Sequence, residues 1–90
     1  MKEQMIEMMK ERICKFYTDY LDDMIEDAKI TDDPDSVTDA VISEEMPIIE
    51  RWLEDSLYIG MITEIEYIEL KDFADEVWSQ VFDRFYKEVA

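Results

Sequence analysis

The shortage of turn residues restricts the fold of this sequence more than any other feature. Its 90 residues include one glycine, two prolines and no asparagine. Strands joined by tight hairpins need Asn-Gly, Asp-Gly or glycine-rich connections, and the sequence contains none of these. Hydrophobic residues make up 48% of the chain and charged residues 38%, which leaves little for loops. We therefore predict an all-α protein, a small bundle of three to four helices, in which residues 1–90 form a single domain.

The first third of the chain has the pattern of a long amphipathic helix. Apolar residues recur every three or four positions from Lys2 to about Lys29. The segment TDDPDSVTD then breaks the pattern, because Pro34 lacks an N–H and disfavours helical backbone in the residue before it. We expect a loop there, followed by a short helix that is capped by Ser36 or Asp35 and ends at about Ser43.

Two further helices are predicted in the second half. Met46-Pro47 marks a joint before the third helix, and Gly60 stands where a C-terminal cap would. Thr63 and Glu66 have the spacing of a capping box, so the last helix should begin at about Thr63. Short connections should make successive helices antiparallel. The predicted core positions of these two helices are Ile48, Ile49, Trp52, Leu53, Leu57 and Tyr58, then Ile65 or Ile68, Leu70, Phe73, Ala74, Val77, Trp78, Val81, Phe82, Phe85 and Val89.

The residue types argue against a metal site or a catalytic site. An EF-hand loop starting at Asp33 would have Val37 and Thr38 where a ligand and a glycine are needed. The chain has no histidine and one cysteine, Cys14, so zinc sites, di-iron sites and Ser-His or Cys-His pairs cannot be assembled. We expect Cys14 to be a small buried hydrophobe. The sequence thus predicts no enzyme, no cofactor and no metal.

The cysteine count and the N-terminal segment indicate the cellular compartment. A single cysteine allows no intrachain disulfide, so the chain needs no oxidising environment. Charges interrupt every apolar run in MKEQMIEMMKERICK, which leaves neither a signal-peptide core nor a membrane span. We expect a soluble protein that does not contact membranes and is located in the cytoplasm, the host cytoplasm if the source is viral.

Net charge is the most informative feature for function. The total is −16, about twice the ~8 that is enough to keep a small domain soluble. Residues 1–15 carry four basic and three acidic groups, residues 16–70 two basic and seventeen acidic, and residues 71–90 three basic and five acidic. Intrachain ion pairs are therefore not expected to neutralise the middle of the chain.

Three interpretations of the acidic middle compete: a cation site, a solvated surface, and an imitation of a phosphate backbone. The ligand pattern argues against the first, and direct binding of nucleic acid is disfavoured because phosphates would be repelled. Carboxylates three or four residues apart on a helix lie ~5 to 6 Å from each other, a spacing comparable with phosphates. One predicted row runs along the first helix into the loop. A second begins at Glu44 and Glu45 and continues through Glu50, Glu54, Asp55, Glu64, Glu66 and Glu69. The predicted partner-binding residues are Asp19, Asp22, Asp23, Glu26, Asp27, Asp32, Asp33, Asp35, Asp39, Glu44 and Glu45.

In size and composition the whole chain resembles the small acidic inhibitors that bacteriophages use against host nucleic-acid enzymes, CRISPR effectors included. That resemblance implies a basic protein surface as partner, in particular the groove of a nucleic-acid-binding protein. The alternative is a helical adaptor or assembly module that uses an apolar helix face. It could be a homodimer joined through a cluster at Met1, Met5, Met8 and Met9.

Overall fold

The computed structural model describes residues 2–89, which form helices joined by short turns. The helices are α1 (Lys2–Thr31), α2 (Pro34–Glu44), α3 (Met46–Tyr58) and α4 (Glu64–Val89). No strand occurs between residues 2 and 89. The prediction of a small all-α bundle is confirmed.

The second and third segments are one middle helix that is broken at Glu45. Pro47 is the second residue of α3, so it has no N–H to donate to the carbonyl of Ser43, and its ring crowds that group. The N–H of Glu45 still donates to the Val41 carbonyl at 2.9 Å. The predicted joint at Met46-Pro47 is confirmed, and the fold is a three-helix bundle whose middle helix is in two pieces.

The pairing of α1 with α4 is the most extensive contact of the bundle. Near the start of both helices the Lys2 ammonium lies 3.3 Å from the Glu66 carboxylate. Further along, the ring centroids of Tyr17 and Trp78 are 4.5 Å apart. Contacting residues advance together along both helices, so α1 and α4 are parallel. The middle helix lies between α1 and α4 in the sequence and runs antiparallel to both, as expected where short turns join neighbouring helices.

One stripe of each helix faces a common core. Trp78 is buried near its centre, with the ring of Tyr17 on one side and the ring of Phe82 at 4.4 Å. The tilted and edge-to-face geometries of these pairs favour aromatic contacts beyond simple burial. Among the aromatic residues predicted as core, Trp78 and Phe85 are buried, and Trp52, Phe73 and Phe82 are half-buried against the core.

Part of the core prediction is wrong, because four apolar residues that were assigned to it face solvent. In α3 the buried apolar residues are Ile49 and Leu53, and in α4 the buried stripe begins only at Leu70. A helix buries the positions on its inner stripe and leaves equally apolar neighbours outside. The outward-facing residues are Ile48 (52% exposed), Tyr58 (91%), Ile65 (80%) and Ile68 (57%).

The loop between α1 and α2 is shorter than predicted, and the cap of α2 is a different residue. Only Asp32 and Asp33 separate the two helices, because Pro34 occupies the first turn of α2, where a missing N–H costs nothing. The Asp33 carboxylate accepts from the backbone N–H of Ser36 at 3.2 Å. Asp33 is therefore the N-cap, and the expectation of Ser36 or Asp35 was wrong.

The C-terminus of α3 is closed by the predicted glycine. Gly60 has φ +81°, a left-handed conformation that side chains disfavour. Its N–H donates to the Leu57 carbonyl at 3.1 Å, and the N–H of Met61 donates to the Ser56 carbonyl at 3.0 Å. These two bonds are those of a Schellman motif.

The start of α4 has the predicted capping box, and α1 fastens it to the bundle. The Thr63 N–H donates to Glu66 Oε1 at 2.8 Å, and the Glu66 N–H donates to Thr63 Oγ1 at 3.2 Å. Lys2 Nζ donates to the Met61 carbonyl at 3.2 Å and also pairs with Glu66. The turn between α3 and α4 is thus held by its own caps and by α1.

The molecule is a rod with two different ends. Its extents are 44 × 20 × 15 Å and its radius of gyration is 14.5 Å, larger than the ~12 Å expected of a compact chain of this length. A helix as long as α1 spans ~45 Å, and it sets the long axis. We call the end with the α3–α4 turn the turn end. None of the helices between residues 2 and 89 is both long and apolar enough to cross a membrane.

Candidate partner-binding surface

The predicted acidic residues gather in the half of the rod that lies away from the turn end. They occupy the second half of α1, the α1–α2 connection, α2 and the break before α3. Ten of them are exposed, and Glu45 is half-buried. This set is the acidic half: Asp19, Asp22, Asp23, Glu26, Asp27, Asp32, Asp33, Asp35, Asp39, Glu44 and Glu45.

The outer face of α1 carries the densest row. Asp19, Asp22, Asp23, Glu26 and Asp27 are all exposed and lie opposite the buried stripe of that helix. Nine helical residues rise by ~12 Å from first to last, which gives about one carboxylate per 3 Å of axis. Phosphates along one DNA strand recur every ~3.4 Å. The axial charge density of this row is therefore close to that of a nucleic-acid strand.

A groove between α1 and α2 brings further carboxylates to that row. It has a volume of about 500 Å³, and its apolar lining includes Met24, Val37 and Val41. Five carboxylates line it as well: Asp23, Glu26 and Asp27 from α1, and Glu44 and Glu45 from the break in the middle helix. Sequence analysis placed Glu44 and Glu45 in the second row, whereas the fold places them across the groove from the first.

Tyr20 also lines this groove, and sequence reasoning missed it. Hydrogen bonding to the Glu45 carboxylate raises the pKa of Tyr20 above its usual value, and burial and the charges of Asp23 and Glu44 act in the same direction. The Tyr20 hydroxyl therefore keeps its proton and can donate a hydrogen bond among the carboxylates that line the groove. One oxygen of Glu45, Oε2, is buried and accepts no hydrogen bond from the described residues. Tyr20 could have been predicted as a groove residue only from the proximity of α1 to the break in the middle helix.

Two members of the acidic half have partners inside the fold. Asp33 caps α2 through its bond to Ser36. Asp35 accepts a hydrogen bond from the Tyr86 hydroxyl at 3.2 Å, and that hydroxyl also lies 3.0 Å from Thr38 Oγ1. Both carboxylates remain exposed, but substituting Asp33 would remove the cap of α2, and substituting Asp35 would disturb the contact between the middle helix and α4.

Basic side chains do not neutralise the acidic half. Within residues 2–89 the ion pairs are Lys2 with Glu66 at 3.3 Å and Lys10 with Glu69 at 3.4 Å. Both belong to the turn end, and both use acids of the predicted second row. That row is therefore partly neutralised by α1, while every acid of the first row lacks an ion-pair partner among the described residues.

The acidic half supplies negative charge, but its described residues are not grouped to coordinate a metal ion. No group of three or more Cys, Asp or Glu side chains among residues 2–89 is placed to hold a metal ion. Cys14 is half-buried instead of fully buried, and its thiol is free. The carboxylates of the acidic half can accept charge-assisted hydrogen bonds from cationic donors.

Two of the methionines in the predicted dimer cluster, Met5 and Met9, pack into the bundle. Met9 is 2% exposed and belongs to the core, and Met5 packs against the core. Met8 is exposed, and Met1 lies outside the described residues. The first turns of α1 contribute methionines to the bundle because their inner stripe continues the apolar repeat of the helix.

No family model, curated protein or solved structure matches this chain.

Proposed function

We propose that this chain is a non-enzymatic inhibitor that binds the basic nucleic-acid groove of another protein. Its acidic half takes the place of phosphates and excludes DNA or RNA from that groove. The observation that carries the proposal is the density of unpaired charge: eleven carboxylates lie in one half of the rod, without an ion pair among the described residues. In this proposal the partner is a bacteriophage target such as a host nucleic-acid enzyme or a CRISPR effector.

The shape of the rod supports this interpretation. The acidic half covers about half of the 44 Å long axis, which corresponds to about two-thirds of the ~34 Å of one DNA turn, and the smaller extents of 20 and 15 Å suit a groove that accommodates a duplex. The α1 row matches the axial charge spacing of one strand. A surface of this kind gives fast association that falls steeply with salt.

The destabilising effect of these like charges supports the proposed function as well. Like charges on one helix face repel, and this self-repulsion destabilises the compact state. A solvated surface needs far fewer acids than this chain has. Retention of so many unpaired carboxylates is expected where they serve an interaction.

The test is capture of proteins from a candidate host lysate by the immobilised chain. In a test variant Asp22, Asp23 and Glu26 are changed to lysine; these residues lie on α1 and, unlike Asp33 and Asp35, serve as neither a helix cap nor an acceptor for Tyr86. The matched control changes three exposed acids of the outer face of α4 to lysine: Asp72, Glu76 and Asp83.

The proposal predicts a nucleic-acid-binding protein that is retained by the wild type and the control, is lost with the test variant, and elutes with added salt. Equal retention by the wild type and both variants, or a partner that resists salt, would contradict it and favour the adaptor alternative.

That alternative rests on a different observation. The apolar stripes are used by the core, but exposed apolar side chains remain around the α3–α4 turn. An adaptor that works through this surface would bind its partner by apolar burial, so its binding would weaken little with salt.

A further inference from the structure

The turn end carries several exposed apolar side chains that the bundle does not use. They come from the last residues of α3, the turn itself and the first turns of α4. Scattered single apolar residues are normal on a protein surface, but five large ones within eleven residues are a patch. We call it the turn patch: Tyr58 (91% exposed), Ile59 (67%), Met61 (42%), Ile65 (80%) and Ile68 (57%).

The backbone under the turn patch is well fixed. The Schellman bonds at Gly60, the capping box at Thr63 and the hydrogen bond from Lys2 to the Met61 carbonyl all act within this short segment. A surface held in one conformation loses less entropy when it binds. The backbone of the turn patch is thus preorganised for binding.

The size of the patch fits a symmetric dimer. From the exposed fractions, the five side chains leave on the order of 600 Å² open, the upper end of the ~300 to 600 Å² found for the largest patch of a typical monomer. Two such patches placed face to face would bury about 1,200 Å², which is where specific protein interfaces begin.

The distribution of charge also favours a second copy at this end. Around the patch Glu66 and Glu69 pair with Lys2 and Lys10, whereas the acidic half has no ion pair with any residue from 2 to 89. A dimer joined at the turn ends would direct the two acidic halves outward along axes of 44 Å each. That separation is several Debye lengths of ~8 Å in physiological salt, so their mutual repulsion is small.

We propose that the turn patch binds the turn patch of a second copy of this chain and forms a two-fold symmetric homodimer. Each copy contributes Tyr58 and Ile65 to the centre of the interface, and both acidic halves remain free. This inference is independent of the proposed function, since it needs no partner protein. It locates self-association at the turn end and not at the methionines of α1.

Salt gives the proposed dimer a distinctive signature. Each copy carries a net charge of −16, and the exposed acids Glu54, Asp55 and Glu64 lie beside the patch in the sequence, so two copies repel each other. Their repulsion is screened by salt, while apolar burial is not weakened by it. The homodimer should therefore become tighter as salt is added, opposite to binding through the acidic half.

The test is sedimentation velocity of the full chain from about 1 μM to about 1 mM, at ~0.05 M and ~0.5 M salt. The test variant I65Q/I68Q keeps the helical preference and removes the apolar surface. The matched control I30Q/I42Q alters two other exposed isoleucines, 76% and 47% exposed, near the acidic half. Circular dichroism confirms that each variant is folded.

We expect a monomer–dimer equilibrium that is tighter in high salt, is weakened at least about tenfold by I65Q/I68Q, and is unchanged by I30Q/I42Q. A chain that is monomeric throughout this range overturns the proposal. So does a dimer that dissociates in salt or is weakened equally by both variants. A monomer that loses a lysate partner only with I65Q/I68Q would also overturn it, by assigning the patch to a different protein.

Discussion

Neutralising two acids of the α1 row should make the protein more stable. Among Asp19, Asp22, Asp23, Glu26 and Asp27 there are five like-charge pairs three or four residues apart. The double variant D23N/E26Q removes four of them and also the one opposite-charge pair of these two residues, Glu26 with Lys29, and each pair is worth about 0.2 to 0.5 kcal/mol. The net loss of three repulsive pairs should therefore raise the free energy of unfolding by about 0.6 to 1.5 kcal/mol at low ionic strength, with a further small gain from removing acids near the C-terminus of α1.

The assay is urea denaturation followed by circular dichroism at ~0.02 M and ~0.5 M salt, where the gain should shrink because screening weakens repulsion. The matched control is D83N/E88Q, which makes the same change in net charge on α4. Each of these acids has a basic residue four positions away on the same helix, so the control should be neutral or slightly destabilising. A D23N/E26Q variant no more stable than the wild type at low salt, or a gain of equal size in the control, would refute the reasoning.

Three further predictions concern the bundle. Burial, and secondly the charge of Asp75, raises the pKa of Tyr17 to about 12; the folded state keeps this proton, so stability is complete below pH 10 and is lost as the pH rises towards 12. Thermal melts of wild type and Tyr17→Phe across that interval should differ in slope, and parallel slopes would contradict the assignment. Gly60→Ala should cost about 1 to 2 kcal/mol in urea denaturation: the residue has φ +81° and a Cβ there would meet no atom within 4 Å, so an unchanged midpoint would show that the left-handed cap is not needed. The Thr63 N–H lowers the pKa of Glu66, so the capping box stabilises the protein above the usual carboxyl pKa, and this stabilisation is lost as the pH falls through the lowered pKa of Glu66; Glu66→Gln, which removes the titrating group, should reduce this acid sensitivity in pH titrations of helicity, and full retention of it would contradict the role of the box.

Local signals in the sequence predicted the helix ends that depend on local chemistry. The breaking effect of Pro47, the left-handed cap at Gly60 and the reciprocal bonds of Thr63 and Glu66 involve residues within five positions of each other. Such interactions are nearly independent of the rest of the fold. The cap of α2 was misassigned because several residues in DDPDS can cap, and only the backbone geometry at Asp33 selects one.

The core was harder to predict where apolar residues lie on more than one face. In α4 the alternation in ITEIEYIEL places Ile65 and Ile68 outside the stripe that starts at Leu70. Periodicity alone does not say which of two apolar stripes meets a neighbouring helix. The inner stripe is fixed by packing against α1, and the turn patch became visible only in the folded chain.

The acidic half was predictable as a composition but not as a shape. Counting charges indicated where the acids are in the chain, and helical spacing predicted the row on α1. The groove that joins Glu44 and Glu45 to this row depends on the break at Pro47 and on the antiparallel packing of α2 against α1. Tyr20 gave no signal of its own, since a tyrosine beside an apolar stripe is usually part of the core.

The most direct test of the central claim is competition with nucleic acid for a purified captured partner. Fluorescence anisotropy of a labelled DNA or RNA oligonucleotide bound to that partner is followed as the chain is added. The account predicts that the wild type and the α4 control variant displace the oligonucleotide, increasingly well at low salt, and that the variant with lysine at Asp22, Asp23 and Glu26 does not. Simultaneous binding of the chain and the oligonucleotide, with anisotropy that stays high or rises, would contradict phosphate mimicry and make the acidic half a solvated surface.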